Sequence, residues 1–194
     1  MPSAVIIDFD DTIVQTSRFR RGLLEGALLE WCNVSFNDET ALAWGTPFQE
    51  IIAAFVDGEE VDSFIQFYLK KMAFTPTSLC LGAEQFLRLL QELEVPVVIL
   101  SSSLKELIMF DLKALEIDDM IVKIFGSEDI DCSKPNPDAL QLPLEWLKST
   151  YSAEPAQIVY IGDSLEDWAC ARNQVDFYAV LSGSILGQEF LDQG

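Results

Sequence analysis

Ala4-Val5-Ile6-Ile7 is an apolar run with no polar alternation, and it ends directly in Asp8. A strand that is apolar at every position must be covered on both faces, which means the interior of a parallel sheet flanked by helices. Further strand-like runs at about 96–101, 121–125, 157–161 and 176–181 alternate with helical stretches. This β-α rhythm predicts an α/β fold, a Rossmann-like parallel sheet with helices on both faces. The C-terminal edge of such a sheet is where ligands bind, and Asp8-Phe9-Asp10 falls there.

Between the first two strands lie roughly residues 15–81, far more chain than the dozen or so residues a crossover needs. An inserted domain is therefore expected, and it reads as helical. From Ser17 onward, Phe19, Leu23, Leu24, Ala27, Leu28 and Trp31 fall on one helical face, with Arg18, Arg21 and Glu25 on the other. Thr46, Pro47 and Gln49 have the spacing of a capping box with proline at the first helical position, and Asp57-Gly58 stops the helix they open. A third helix is predicted from about Glu59 to Phe74, and the chain re-enters the main body near Ala83 to Glu94. The expected division is 1–14 with 82–194 for the α/β body and 15–81 for the insert.

Composition removes several chemistries. There is no histidine among the 194 residues, which excludes Ser-His-Asp catalysis, histidine phosphotransfer and His-ligated zinc. A cysteine-nucleophile phosphatase needs an arginine six positions after the cysteine. Cys32, Cys80, Cys132 and Cys170 are followed at that spacing by Asp38, Phe86, Asp138 and Asp176. No C-x-x-C pair is present, so the thiols read as buried or inert and suit a reducing compartment. A formal charge of −20 opposes attachment to nucleic acid or anionic membrane. No apolar run approaches the ~20 residues of a membrane span, and the N-terminus lacks the pattern of a secretion signal. A cytoplasmic location is expected.

Four clusters can carry chemistry. Asp8 and Asp10, two apart on an extended strand, face one side. One carboxylate can attack phosphorus while the other exchanges a proton with the leaving group, although a charged strand end also serves simply to solubilise a loop. Asp11 reads as a turn residue. Ser101, Ser102 and Ser103 follow the second strand, where hydroxyl and N–H groups can hold phosphate oxygens. Ser101 is the candidate with Ser102 beside it, whereas Ser103, three before Glu106, reads as the capping residue of a helix beginning at Leu104. In Lys134-Pro135-Asn136-Pro137-Asp138 two prolines restrict the backbone around a lysine that can neutralise a phosphoryl group, and Asn136 and Pro137 read as N-cap and first helical residue. Finally Gly162-Asp163-Ser164 ends a strand, with Asp167 four residues beyond Asp163. Carboxylates are what Mg²⁺ prefers, while Ser164 and Asp167 also suit the start of a helix.

In this order and placement the clusters resemble the haloacid dehalogenase superfamily. Asp8-Phe9-Asp10-Asp11-Thr12 looks like its first motif, Ser101 its second, Lys134 its third, and Gly162-Asp163-Ser164 with Asp167 its fourth. The insert is similar to the small α-helical cap domain of the subgroup containing phosphoglycolate phosphatases and β-phosphoglucomutases. The resemblance implies that Asp8 is the nucleophile and forms an aspartyl-phosphate, with Asp10 as acid and base. Mg²⁺ would be held by Asp8, Asp163, the Asp10 carbonyl and Asp167, directly or through water. Ser101 and Lys134 would hold phosphate oxygens, and Thr12 would fix Asp10. The implied activity is a phosphatase acting on a small phosphorylated metabolite; alternatives are a phosphomutase and a non-catalytic phosphoprotein-binding regulator. Hinges are expected near Thr16 and Gly82. Arg18, Arg20, Arg21, Lys70 and Lys71 lie in the insert, where Arg18 and Arg21 are candidates for selecting substrate. Pro143 is expected to kink the helix after the third motif.

Overall fold

The computed structural model describes residues 2–34, 47–183 and 187–191. Strands β1 (Ala4–Ile7), β2 (Val97–Leu100), β3 (Lys123–Phe125), β4 (Ile158–Gly162) and β5 (Asp176–Ala179) form one sheet in the order β3-β2-β1-β4-β5. Every neighbouring pair is parallel. The chain steps outward from β1 to β2 and β3, then crosses back to place β4 on the other side of β1. That reversal opens a crevice at the C-terminal ends of β1 and β4.

The apolar runs are buried on both faces because helices cover both. Helices α1 (Ser17–Cys32), α2 (Phe48–Ala53), α3 (Val61–Met72) and α4 (Ala83–Glu92) precede β2; α5 (Lys105–Ala114), α6 (Gln141–Tyr151), α7 (Leu165–Ala171) and α8 (Gly187–Leu191) follow it. Val5, Ile7, Val97 and Ile99 point to one face and pack with Leu87 and Leu90 of α4 and Ile108 and Leu112 of α5. Ala4, Ile6, Val98 and Leu100 point to the other, against Leu140, Leu147, Cys170 and Ala171. The two-residue period of a strand thus splits one apolar run into two cores.

The helical insert has a third core. Leu24, Ala27 and Leu28 of α1 meet Ile51 and Ile52 of α2 and Phe64, Tyr68 and Met72 of α3. Trp31 closes its end with ring centroids 5.8 Å from Phe64 and 5.2 Å from Phe67. Leu104, which immediately precedes α5, and Leu107 of α5 also belong to this cluster, so the insert is seated on a helix of the main body.

Several expected boundaries move. Thr46 lies outside the described residues, and Pro47 has extended backbone (ψ 131°), so α2 starts at Phe48. A 3₁₀ turn at Gly58–Glu60 delays α3 to Val61. Pro143 does not kink α6. That helix begins only at Gln141, which puts the proline in the first turn, where N–H groups lack intrahelical partners. The preceding 3₁₀ turn Pro137–Leu140 is opened by Asn136, whose side chain accepts the Asp138 N–H at 3.0 Å. Among the described residues no helix is long and apolar enough to cross a membrane.

Candidate active site

Asp8 continues β1 by one residue, and its N–H donates to the Ile161 carbonyl at 2.9 Å, fixing it at the crevice between β1 and β4. The chain then turns sharply: the Phe9 carbonyl accepts the N–H groups of Ile13 (3.0 Å) and Val14 (3.2 Å). Asp11 occupies the left-handed region (φ 57°), which a short polar side chain tolerates. Its carboxylate accepts the Ser17 N–H at 3.1 Å, so the turn residue also caps α1.

Asp8 and Asp10 line one cavity of about 490 Å³ together with Ser102, Ser103, Lys134, Asp163 and Asp167. The Asp10 carboxylate accepts from the Ser101 hydroxyl at 3.1 Å and the Ser103 hydroxyl at 2.8 Å. Ser103 is therefore not the cap of α5. That helix starts one residue later, and the Lys105 N–H is taken by the remote Glu128 carboxylate at 3.0 Å. Ser101 is fully buried and also accepts the Ser103 N–H at 3.0 Å; Ser102 is the member of the expected phosphate pair that lines the cavity.

Lys134 is buried, with its Nζ 2.5 Å from Asp8 Oδ1 and 2.6 Å from Asp167 Oδ1. Asp167 Oδ1 also accepts from the Tyr160 hydroxyl at 2.7 Å, while its Oδ2 accepts the Ser164 N–H at 3.1 Å and the Ser164 hydroxyl at 2.6 Å. With the Asp167 N–H donating back to Ser164 Oγ at 3.1 Å, the pair forms a capping box at α7. Thr12 departs from expectation: its hydroxyl donates to Asp163 Oδ1 at 3.1 Å rather than fixing Asp10. The sharp turn after Phe9 carries Thr12 toward β4.

Proton affinities follow from this crowding. Burial, with Asp167 nearby, pushes Asp163 up to about 7. Burial also raises Asp8, against the pull of Lys134. For Asp167 burial is outweighed by Lys134 and the Ser164 and Tyr160 hydrogen bonds, and its carboxyl is held below the ordinary range. Lys134 is raised because Asp167 and Asp8 outweigh the burial that would lower it. One oxygen from each of Asp8, Asp163 and Asp167 lies within 4.8 Å of the others. Two buried carboxylates and a half-buried third, with a single lysine paired to the buried two, fit a hard divalent cation. Asp167 accepts four donors, the capacity of a carboxylate, so it suits a role through water, whereas Asp8 and Asp163 suit direct contact.

Over the acidic floor the insert supplies Arg18, Arg21, Leu24, Phe48 and Ile51. Arg21 Nε is 3.3 Å from Glu25 Oε1. The Phe48 N–H donates to the Ser102 carbonyl at 3.0 Å, joining the insert to the serine loop. Arg20 is turned away into a buried pair with Asp111 of α5.

At the switch-point crevice two aspartates from the end of β1, a lysine with a buried side chain and a second carboxylate pair, Asp163 and Asp167 from the end of β4 and the start of α7, line one cavity. The chain belongs to the haloacid dehalogenase-like hydrolase family, whose model matches residues 5–180. It is 24% identical over 197 residues to the pyrophosphatase PpaX of Listeria welshimeri, covering 98% of this chain and 88% of that protein. The Bacillus velezensis PpaX is 22% identical over 193 residues, covering 97% and 87%. Among solved structures, a protein from Bacteroides fragilis assigned to the haloacid dehalogenase-like hydrolases superposes with TM-score 0.75 at 27% identity, covering 99% of this chain and 93% of that one. CbbY from Rhodobacter sphaeroides shares the fold, with TM-score 0.78 at 16% identity and coverage of 96% and 90%.

Proposed function

We propose that this chain is a Mg²⁺-dependent phosphatase that hydrolyses a small phosphorylated metabolite through an aspartyl-phosphate on Asp8. The carrying observation is the Lys134 ammonium seated between Asp8 and Asp167 in the cavity that Asp10 lines. Asp8 attacks phosphorus in line, and Asp10, oriented by Ser101 and Ser103, protonates the departing oxygen and then takes a proton from the attacking water. Lys134 holds the phosphoryl oxygens, with Ser102 contributing from the serine loop while the buried Ser101 hydroxyl is committed to Asp10. Asp8, Asp163 and the Asp10 carbonyl would hold Mg²⁺, with Asp167 behind them; when bound it supplies positive charge against a dianionic phosphate.

The helical insert, residues 15–81, acts as the cap over this floor, and Arg18 and Arg21 grip a second anionic group of the substrate. A pyrophosphate or bisphosphate would suit that arrangement, and the PpaX relatives support this class. Four free cysteines and a charge of −20 fit a cytoplasmic enzyme without a nucleic-acid or membrane partner.

The test uses Asp10→Asn and p-nitrophenyl phosphate, whose leaving group needs no protonation. Phosphoenzyme should accumulate, and acid-quenched mass spectrometry should map one added phosphoryl group to Asp8. A phosphoryl group on Ser101, or wild-type turnover by Asp8→Asn, overturns the mechanism.

A further inference from the structure

Asp163 is held from two sides, and one of them is a glycine outside every motif that the sequence singled out. Its Oδ1 accepts the Thr12 hydroxyl at 3.1 Å. On the other side the backbone of Gly183, four residues past β5, lies against its carboxylate. A methyl group built on Gly183 would overlap Asp163 Oδ2 and lie 2.7 Å from Cγ and 3.1 Å from Cβ. Gly183 is not in the left-handed region, so the backbone conformation does not require glycine; the space does.

The loop is tied to the sheet on its N-terminal side, where the Val180 N–H donates to the Gly162 carbonyl at 2.9 Å. A methyl on Gly183 therefore meets a side chain more readily displaced than the loop. Asp163 would leave its rotamer, since a χ1 rotation moves one side chain whereas shifting the loop pulls on the backbone hydrogen bond at Val180.

We propose that Gly183 is a positioning residue for the metal site: its missing side chain is the space that lets Asp163 face Asp8 and Asp167. This rests on the reading of Asp163 as a metal ligand. It assigns to the loop after β5 a part in cation affinity with no ligand atom of its own.

The test is Mg²⁺ binding to the metal-stripped protein without substrate, by calorimetry, with Mn²⁺ titrated by electron paramagnetic resonance. Gly183→Ala should bind at least tenfold more weakly while its metal-free melting temperature stays within a few degrees of wild type. Leu181→Ala, in the same loop but with an exposed side chain, should bind as wild type. Wild-type affinity in Gly183→Ala overturns the proposal, as does an equal loss in Leu181→Ala. Should Gly183→Ala not fold, Asp163→Ala/Gly183→Ala decides: melting with Asp163→Ala supports a contact made through Asp163, and failure to fold refutes it. If Asp163→Ala itself binds metal like wild type, the ligand reading fails first and this inference with it. If only Gly183→Ala is silent, this inference alone falls.

Discussion

Arg20→Met should be among the most damaging single changes outside the cavity. Both side chains of the Arg20–Asp111 pair are only 4% exposed, and the pair joins α1 to α5 across the seam between insert and body. Arg20 Nη1 also donates to the Thr75 carbonyl at 2.9 Å, and Asp111 accepts from the Thr77 hydroxyl at 3.1 Å. Methionine fills much of the arginine's volume but leaves a buried carboxylate with only that hydroxyl recorded among the described residues. Breaking a buried pair from one side costs about 3–5 kcal/mol, because the remaining charge is uncompensated. For 194 residues, an unfolding entropy of ~2.1 cal/mol/K per residue gives ~0.4 kcal/mol/K, hence a melting temperature lower by roughly 7–12 °C. Burial already raises Asp111 despite Arg20, so the deficit should shrink at pH 5, where the lone acid can take up a proton. The double variant Arg20→Met/Asp111→Leu should recover most of the loss. Urea and thermal unfolding of all three proteins at pH 5 and 8 measure this. A loss below about 1 kcal/mol for Arg20→Met at pH 8 would refute the view that this seam is dry and electrostatically closed.

The folded pKa of Asp163 near 7 lies above its ordinary 3.8, so the folded state binds the extra proton and the associated stability is lost as pH rises from about 4 to about 7. Metal-free protein should thus weaken over that window, on the order of a few kcal/mol, and saturating Mg²⁺ should flatten the profile; a metal-free profile that rises with pH there contradicts the assignment. Ser103→Ala removes the shorter of the two hydrogen bonds to Asp10 and should lower kcat roughly 10- to 100-fold with a smaller effect on stability, an unchanged kcat in steady-state assay being the contrary result. Arg18→Ala and Arg21→Ala should raise KM for a doubly anionic substrate such as pyrophosphate while sparing p-nitrophenyl phosphate; equal losses on both would remove these residues from selectivity.

All five strands were legible, β1, β2 and β4 as apolar runs rich in β-branched residues and β3 and β5 from the alternation with helices, and with them the strand-end positions of Asp8, Asp10 and Asp163. Lys134 drew attention through the two prolines that follow it, Pro135 and Pro137. What stayed hidden depends on partners distant in sequence. Ser103 resembles a helix cap by spacing, yet Glu128 does the capping from 23 residues away, which frees the serine for Asp10. Thr12 reaches across 151 positions to Asp163. Arg20 looked like one more surface cation beside Arg18 and Arg21, since its buried partner lies on a different helix. Tyr160 left one usable signal: a tyrosine inside a buried strand needs a partner for its hydroxyl, and Asp167 is that partner.

Helix α5 with its N-cap belongs to two cores at once, with Ile108 and Leu112 turned to the sheet and Leu107 and the N-cap residue Leu104 to the insert. The line along which this molecule can be recombined is consequently not the pair of chain crossings near residues 15 and 81. A chimera that moves residues 15–81 onto a foreign sheet would arrive with a hole where two leucines sat, and each such loss costs about 2–5 kcal/mol. It would also strand Arg20 without Asp111. Transplanting the specificity of one relative into another therefore calls for exchanging residues 104–111 together with the insert, as a single cassette assembled from two stretches of sequence.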